Sequence, residues 1–154
     1  MNDLKVVKHA PGAPGLRILG LGPQLTPLKG LIKLQKLLNE NTSWAQGRNT
    51  NQIKNMLSNS QVIISVWKYQ NLIGFGRATS DGTFRAVLWD IVVERNYQNI
   101  GIGARIINSI LNHPSIRNVE KLYTMTTHCE DFYLKMGFLK EQSQFLMKLI
   151  KTKV

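Results

Sequence analysis

The chain has 154 residues, of which 43% are hydrophobic and 19% are charged. This composition predicts one folded domain with a sizeable core and excludes a disordered chain. No apolar run approaches the roughly 18 residues that a membrane span needs. The first five residues lack the apolar stretch of a signal peptide, so we do not expect secretion. The single cysteine, Cys129, excludes an internal disulfide and suits a reducing compartment.

The net charge of +11 would attract polyanions, of which nucleic acid and the phosphates of coenzyme A are two kinds. Lysine and arginine are spread along the chain and accompany no nucleic-acid recognition motif, which disfavours nucleic-acid binding. No group of histidine, cysteine and acidic residues has metal-ligand spacing, so no metal is expected.

The first quarter of the chain predicts short strands and a helix. Residues 4–8 and 16–21 read as β-like runs around a Pro/Gly segment, and either a hairpin or a loose N-terminus would fit. Thr26 followed by Pro27 is a typical helix start, and leucines at helical spacing continue to about Glu40. A second short helix is predicted after a cap at Asn49 or Thr50.

The middle of the chain predicts an antiparallel meander, with strands over residues 61–68, 72–78 and 83–94 and a tight Asp-Gly turn before the third. A helix over 101–111 then leads to a strand over 121–127. A strand, a helix and a strand in that order imply that the two strands run parallel.

The end of the chain predicts a short helix over residues 130–135 that closes at Gly137, then a hairpin over 138–151 that turns near 141–143. The fold class is therefore mixed α/β, with a central sheet of six to seven strands and four helices in a single domain over 1–154.

Residues 98–103 read Gln-Asn-Ile-Gly-Ile-Gly at the predicted junction of a strand and a helix. Two glycines there let a ligand approach the backbone, and the first helical turn presents unpaired N–H groups that bind phosphate. A dinucleotide fold would need a third glycine, and a P-loop would need Lys-Ser or Lys-Thr where Ala104 and Arg105 stand.

The pattern Gln-x-x-Gly-x-Gly resembles the pyrophosphate signature of the GNAT superfamily of acetyl-CoA-dependent N-acetyltransferases. A second block, Phe-Tyr-Leu-Lys-Met-Gly-Phe over residues 132–138, matches the same family in the same order. The resemblance implies acetyl-CoA as the cofactor and a fold of the GNAT type. The residues that it implies for cofactor binding are Ile91, Val92, Val93, Gln98, Asn99, Ile100, Gly101, Ile102, Gly103, Ala104 and Tyr133.

Three catalytic candidates emerge. Tyr133 matches the tyrosine that in many family members donates a proton to the CoA thiolate. Asp90 is an acid in an otherwise apolar strand and must be solvated, paired or functional, so it is a candidate base. Strict alternation would place it on one face with Leu88 and Val92. His128 is the second candidate base, since it follows a strand end where α/β sites concentrate, and ordered water is a third route for the proton.

Five stretches, at residues 43–45, 65–67, 74–82, 88–90 and 125–128, carry a finer resemblance within the superfamily. Over about residues 31 to 138 the chain is similar to a cyanobacterial and plastid branch that includes plant-type serotonin N-acetyltransferases. By this analogy Trp89 and Asp90 would contact a small arylalkylamine such as serotonin or tryptamine. Trp44 lies between the first two predicted helices, in a segment that lines the acceptor site in the resembled family, and a core anchor is the alternative role for it. Protein lysine acetylation is an alternative, and a non-catalytic basic module that binds CoA or nucleic acid is another. The analogy implies a plastid or a cyanobacterial-type cytoplasm, and a homodimer stays open.

Overall fold

The computed structural model describes residues 3–12 and 27–151. Within these ranges the sheet has five strands in the order β1-β2-β3-β4-β5, antiparallel except for the parallel pair β4 and β5. None of the helices described is long and apolar enough to cross a membrane. In chain order the elements are β1 (Leu4–His9), α1 (Pro27–Asn41), α2 (Thr50–Ser58), β2 (Val62–Lys68), β3 (Asn71–Ser80), β4 (Arg85–Val93), α3 (Ile102–Leu111), β5 (Lys121–Tyr123) and α4 (Glu130–Lys135).

The first strand forms where a β-like run was predicted, and it lies antiparallel to β2 at the edge of the sheet. A buried polar contact fixes this pairing: His9 Nε2 lies 2.6 Å from Ser65 Oγ, which also accepts a hydrogen bond from the Trp67 indole at 2.7 Å. The second predicted run, residues 16–21, lies outside the described residues.

The sheet is covered on both faces, which gives two hydrophobic cores. Helices α1 and α2 pack on one face around Trp67 and Phe75, and α3 packs on the other around Ile64 and Ile73. All but the last residue of β2 are buried, as expected for a strand between two helical layers. The two cores hold the ends of β4 and α3 in fixed positions.

Helix α3 crosses the sheet very closely at the glycines of β3. A Cβ atom on Gly76 would lie 2.5 Å from Ile106 Cγ2 and 2.8 Å from Ile91 Cδ1. One on Gly74 would lie 3.1 to 3.2 Å from three side chains. These glycines therefore set how near α3 approaches the sheet.

Gly76→Ala should lower the free energy of unfolding by about 1–3 kcal/mol, because the added methyl group overpacks the α3 interface. Urea denaturation measures the change. Combining Gly76→Ala with Ile106→Ala should cost less than the sum of the two single changes, since the second removes the atom that the methyl group meets. Strict additivity would show that the two positions do not touch.

The predicted hairpin over residues 138–151 is wrong, and the sheet accordingly has five strands rather than six to seven. The chain only bends at Ser143, whose amide and hydroxyl both donate to the Glu141 carboxylate. The flanking segments form no strand, and Leu139, Phe145 and Met147 are 88 to 90% exposed. A β-like sequence becomes a strand only where a partner supplies the ladder, and none of the described residues does so here.

Candidate active site

A β-bulge interrupts β4 at Asp90. Phe75 pairs with Val92 and Arg77 pairs with Trp89, so two residues of β4 lie opposite Gly76 alone. Asp90 takes a positive φ of 52°, which is uncommon for a residue other than glycine. The extra residue re-aims the side chains that follow it.

Because of the bulge, the predicted strict alternation of side chains along β4 is wrong. Leu88 packs in the core beneath α3, whereas Val92 packs in the core beneath α1 and α2. These two residues were expected to share a face with Asp90. Side chains of a strand alternate between the two faces of the sheet, and one extra residue shifts this alternation by one position. Leu88 before the bulge and Val92 after it therefore lie on opposite faces.

The strands β4 and β5 separate just before the bulge. They pair only from Arg85 with Lys121 to Val87 with Tyr123, so β5 is shorter than the predicted 121–127. Beyond Val87 the backbone of β4 faces a cleft of about 1010 Å³ rather than a partner strand. The cleft is lined by Ile91, Val92 and Val93 on one side and by residues 124–129 on the other.

The predicted phosphate loop lies at one end of this cleft. A 3₁₀ helix, Arg95–Tyr97, leads into Asn99 and Gly101, both with positive φ, and Gly101 is the N-cap of α3. Among the described residues no side chain caps the helix, and the Arg105 amide donates to the Gly101 carbonyl at 3.0 Å. The first-turn amides before Arg105 thus have no intrahelical acceptor and can bind an anion.

The residues of the loop divide into three groups by where they lie. Asn99, Gly101, Gly103 and Ala104 line the cleft. Gln98 also lines it, but its amide donates to the Val93 carbonyl at 3.0 Å, which ties the loop to the end of β4. Ile100 is half exposed and Ile102 is buried in the core, so these two could contribute only backbone atoms.

Tyr133 lies in the same cleft, on α4, and is buried. Its ring packs edge-on against Phe132 and Phe138 with centroids 5.2 and 5.4 Å away. A Cβ atom on Gly103 would lie 3.1 Å from Phe132 Cζ, so α4 is held close to the phosphate loop. Burial raises the pKa of Tyr133 above its ordinary value of 10.0, against the opposing effect of a hydrogen bond with Thr124.

Asp90 is held by two arginines. Its Oδ2 accepts from Arg77 Nε at 2.8 Å, and its Oδ1 accepts from Arg48 Nη1 at 3.1 Å. The carboxylate side chain is only 4% exposed, and the Arg77 guanidinium also lies over the Trp89 ring, 5.7 Å from its centroid. The network joins the α1–α2 loop to the bulge, so it holds that loop against β4 at the cleft.

Asp90→Asn should lower the free energy of unfolding by about 3 kcal/mol, because it leaves two partly buried guanidinium groups without their counter-charge. Urea denaturation checks this. The matched control is Glu120→Gln, whose 3.4 Å pair with Arg85 is about half exposed on both sides and should contribute less than about 1 kcal/mol. Equal effects of the two changes would contradict a structural role for the Asp90 network.

The remaining predicted residues also lie at the cleft. Trp44 is 60% exposed, so it is not a core anchor, and it lines the cleft together with Trp89. The Trp89 indole donates to Thr79 Oγ1 at 2.8 Å, which fixes its ring. His128 and Cys129 are exposed on the cleft wall opposite β4. The described residues contain no cluster of three side chains suited to a metal ion.

Arg77 is the site residue that sequence reasoning missed. The signal was present, because Arg77 is the one charged residue in the β3 sequence NLIGFGRATS. A charge in a mostly buried strand needs a partner or a function, as was argued for Asp90. The charged residues Arg77 and Asp90 of these neighbouring strands form one ion pair.

Comparison with known proteins identifies the class. The profile of the acetyltransferase (GNAT) family matches residues 31–138. The chain therefore belongs to this family, whose fold implies the use of acetyl-CoA, and the uncapped α3 amides and the open edge of β4 fit such a ligand.

Individual relatives extend the comparison. The uncharacterized N-acetyltransferase ycf52 of Pyropia yezoensis is 34% identical over 119 residues, which are 72% of this chain and 66% of that protein. A chloroplastic GCN5-related N-acetyltransferase of Arabidopsis thaliana is 26% identical over 97 residues, 61% of this chain and 49% of that protein. The chain thus spans about half to two thirds of the length of these relatives.

A solved structure supports the fold. An aminoglycoside acetyltransferase from an uncultured soil metagenomic sample, crystallised with sisomicin, has a TM-score of 0.63 at 17% identity. The match covers 97% of this chain and 98% of that one. At this identity the likeness concerns the mixed sheet and its helices alone.

Proposed function

We propose that this chain transfers an acetyl group from acetyl-CoA to the primary amine of a small aromatic molecule by direct attack within the cleft. The observation that carries the proposal is the meeting of three features in one cleft. These are the strand edge that the bulge at Asp90 leaves open, the uncapped amides at Gly101, and the buried phenol of Tyr133. Each serves a separate requirement of acyl transfer.

Two backbone surfaces would hold acetyl-CoA. The amides of residues 101–104 would bind the diphosphate, since a helix N-terminus offers both unpaired donors and a positive dipole end. The unpaired edge of β4 at Ile91, Val92 and Val93 would pair with the amides of the pantetheine arm. When bound, acetyl-CoA supplies the activated acetyl group as a thioester with a thiol leaving group.

Tyr133 holds the proton that a departing thiolate needs. Because burial raises its pKa, the phenol keeps this proton throughout the neutral range. Its position is fixed by Phe132 and Phe138, so the hydroxyl stays at the cleft wall. We therefore assign Tyr133 as the general acid.

The amine must lose a proton before it attacks, and Asp90 and His128 are the two candidate bases. Asp90 already accepts hydrogen bonds from two guanidinium groups, so in this proposal it positions Arg48 and Arg77 rather than acting as the base. His128 is exposed at the cleft wall, where its imidazole can relay a proton to solvent, either directly or through ordered water.

The acceptor would lie between Trp44 and Trp89, which present two aromatic surfaces to the cleft. A thiol-release assay with tryptamine, serotonin, a polyamine and a lysine peptide tests this assignment. We expect the aromatic amines to be faster than the polyamine. Preference for the peptide would favour the alternative, protein lysine acetylation. No release with any amine, in a protein that binds CoA, would indicate a non-catalytic module.

We propose a plastid or a cyanobacterial-type cytoplasm as the setting. One relative is named as chloroplastic, and the resemblance is to the same branch. Immunodetection of the protein in fractions of its source cells would test this, and detection outside the plastid of a plastid-bearing cell would contradict it.

A further inference from the structure

The cleft wall nearest α2 carries an excess of positive charge. Three charged side chains line the described part of the cleft, Arg48, Arg77 and Asp90, and their sum is +1. No acidic residue occurs from position 41 to position 80, which includes all of α2, β2 and β3. An acceptor that enters along this wall therefore meets a positive potential.

The two arginines differ in what they can still bind. Arg77 is 14% exposed and is held by Asp90, by Ser60 Oγ at 3.3 Å and by its contact with Trp89. Arg48 is 30% exposed and donates to Asp90 and to Met56 Sδ through Nη1 alone. Its other guanidinium nitrogens donate to none of the described residues, so they are available to a ligand in the cleft.

A shallow groove of about 510 Å³ continues the same wall and shares Arg77 and Trp89 with the cleft. Its polar lining on α2 and at the C-cap of that helix consists of neutral amides, those of Gln52, Asn55 and Asn59. A second ammonium group on an acceptor would find no carboxylate in either cavity, apart from Asp90, which is already paired twice.

We propose that the acceptor is an aromatic amine that also carries a carboxylate, and that this carboxylate binds the Arg48 guanidinium. The inference rests on the proposed function and names the substrate class of the same site. A planar guanidinium with two free donor positions matches a carboxylate in geometry and charge. The positive field also favours the neutral form of the attacking amine over its ammonium form.

Matched pairs of acceptors test the proposal on the unaltered protein. Tryptophan and tryptamine differ only by the carboxylate, as do tyrosine and tyramine. We expect kcat/KM for each amino acid to exceed that of its amine by about tenfold or more, because a site built to bind a polar group discriminates against the analogue that lacks it. Equal rates, or faster reaction of the amines, would overturn the proposal while leaving the proposed function intact.

Arg48→Met gives the second arm, with Arg85→Met as a control at an exposed arginine outside the cleft. We expect Arg48→Met to lower kcat/KM for tryptophan at least about tenfold more than it lowers kcat/KM for tryptamine, with Arg48→Lys intermediate. Because any loosening of the cleft affects both acceptors, an equal loss for tryptophan and tryptamine would contradict a carboxylate site at Arg48.

A binding measurement decides the proposal independently of turnover. Indole-3-propionate has the carboxylate but no amine, and isothermal titration should detect its binding to the unaltered protein but not to Arg48→Met. Tryptamine should bind more weakly than indole-3-propionate in the same experiment. Tighter binding of tryptamine would overturn the proposal even if no acceptor were acetylated.

Discussion

Gly101→Val should reduce CoA affinity by about a hundredfold or more in isothermal titration. Gly101 has a φ of +87°, a conformation that a β-branched residue rarely adopts, so the substitution strains the N-cap of α3. The position where its Cβ would lie is open, with no protein atom within 4 Å, so the valine side chain would also stand in the space next to the first-turn amides. Both effects remove the proposed diphosphate site.

Gly82→Val is the matched control for this change. Gly82 has a φ of +78° and also has no atom within 4 Å of its Cβ position, but it lies in the turn between β3 and β4 and does not line the cleft. It should therefore cost stability to a similar extent while CoA affinity stays within about threefold. Retained affinity in Gly101→Val would mean that the diphosphate binds elsewhere.

Tyr133→Phe should lower kcat by about a hundredfold or more while the dissociation constant for CoA changes less than about threefold. General acid catalysis typically contributes this much, and the substitution removes only the hydroxyl. The edge-on packing against Phe132 and Phe138 is kept, so the fold should be unchanged. Steady-state kinetics and titration on the same preparation separate the two quantities.

Tyr69→Phe provides the control, since Tyr69 is 63% exposed and its hydroxyl donates to Asp3, outside the cleft. The pH profile adds a second readout. Because burial raises the pKa of Tyr133 above 10.0, the general acid stays protonated and should produce no loss of kcat below that pH. Full activity in Tyr133→Phe would remove this residue from the mechanism.

Elements with local signals were predictable from the sequence. Helix α4 spans Glu130–Lys135 as predicted, and Gly137 takes the positive φ that a helix end requires. Helix α2 begins after Asn49, whose side chain and that of Gln52 form a reciprocal capping box. In these cases a few neighbouring residues determine where the helix begins or ends.

The antiparallel meander and the parallel pair of β4 with β5 form as predicted, but interruptions of this pairing were not predictable. The bulge at Asp90 exists because β3 presents one residue, Gly76, opposite two of β4, and no residue within β4 alone indicates this. The pairing of β5 with β4 also ends just before the bulge, at Val87 opposite Tyr123, and no residue of β5 alone indicates this end. The C-terminal segment has strand-like residues but lacks a neighbour among the described strands.

The candidate site was predictable where backbone chemistry defines it and less so where side chains pair across the fold. The glycines of the phosphate loop and Tyr133 line one cleft, and the roles predicted for them stay predictions. The partnership of Arg77 with Asp90 spans two strands, and that of Arg48 with Asp90 spans 42 positions of sequence. Such contacts follow from the sheet register, which a sequence pattern does not specify.

The most direct test of this account is a crystal structure of the protein with bound acetyl-CoA. We predict that the diphosphate lies on the amides of residues 101–104 and that the pantetheine arm pairs with β4 between Ile91 and Val93. The thioester sulfur should then lie within reach of the Tyr133 hydroxyl. A diphosphate bound elsewhere, or an empty loop at a saturating ligand concentration, would contradict the account.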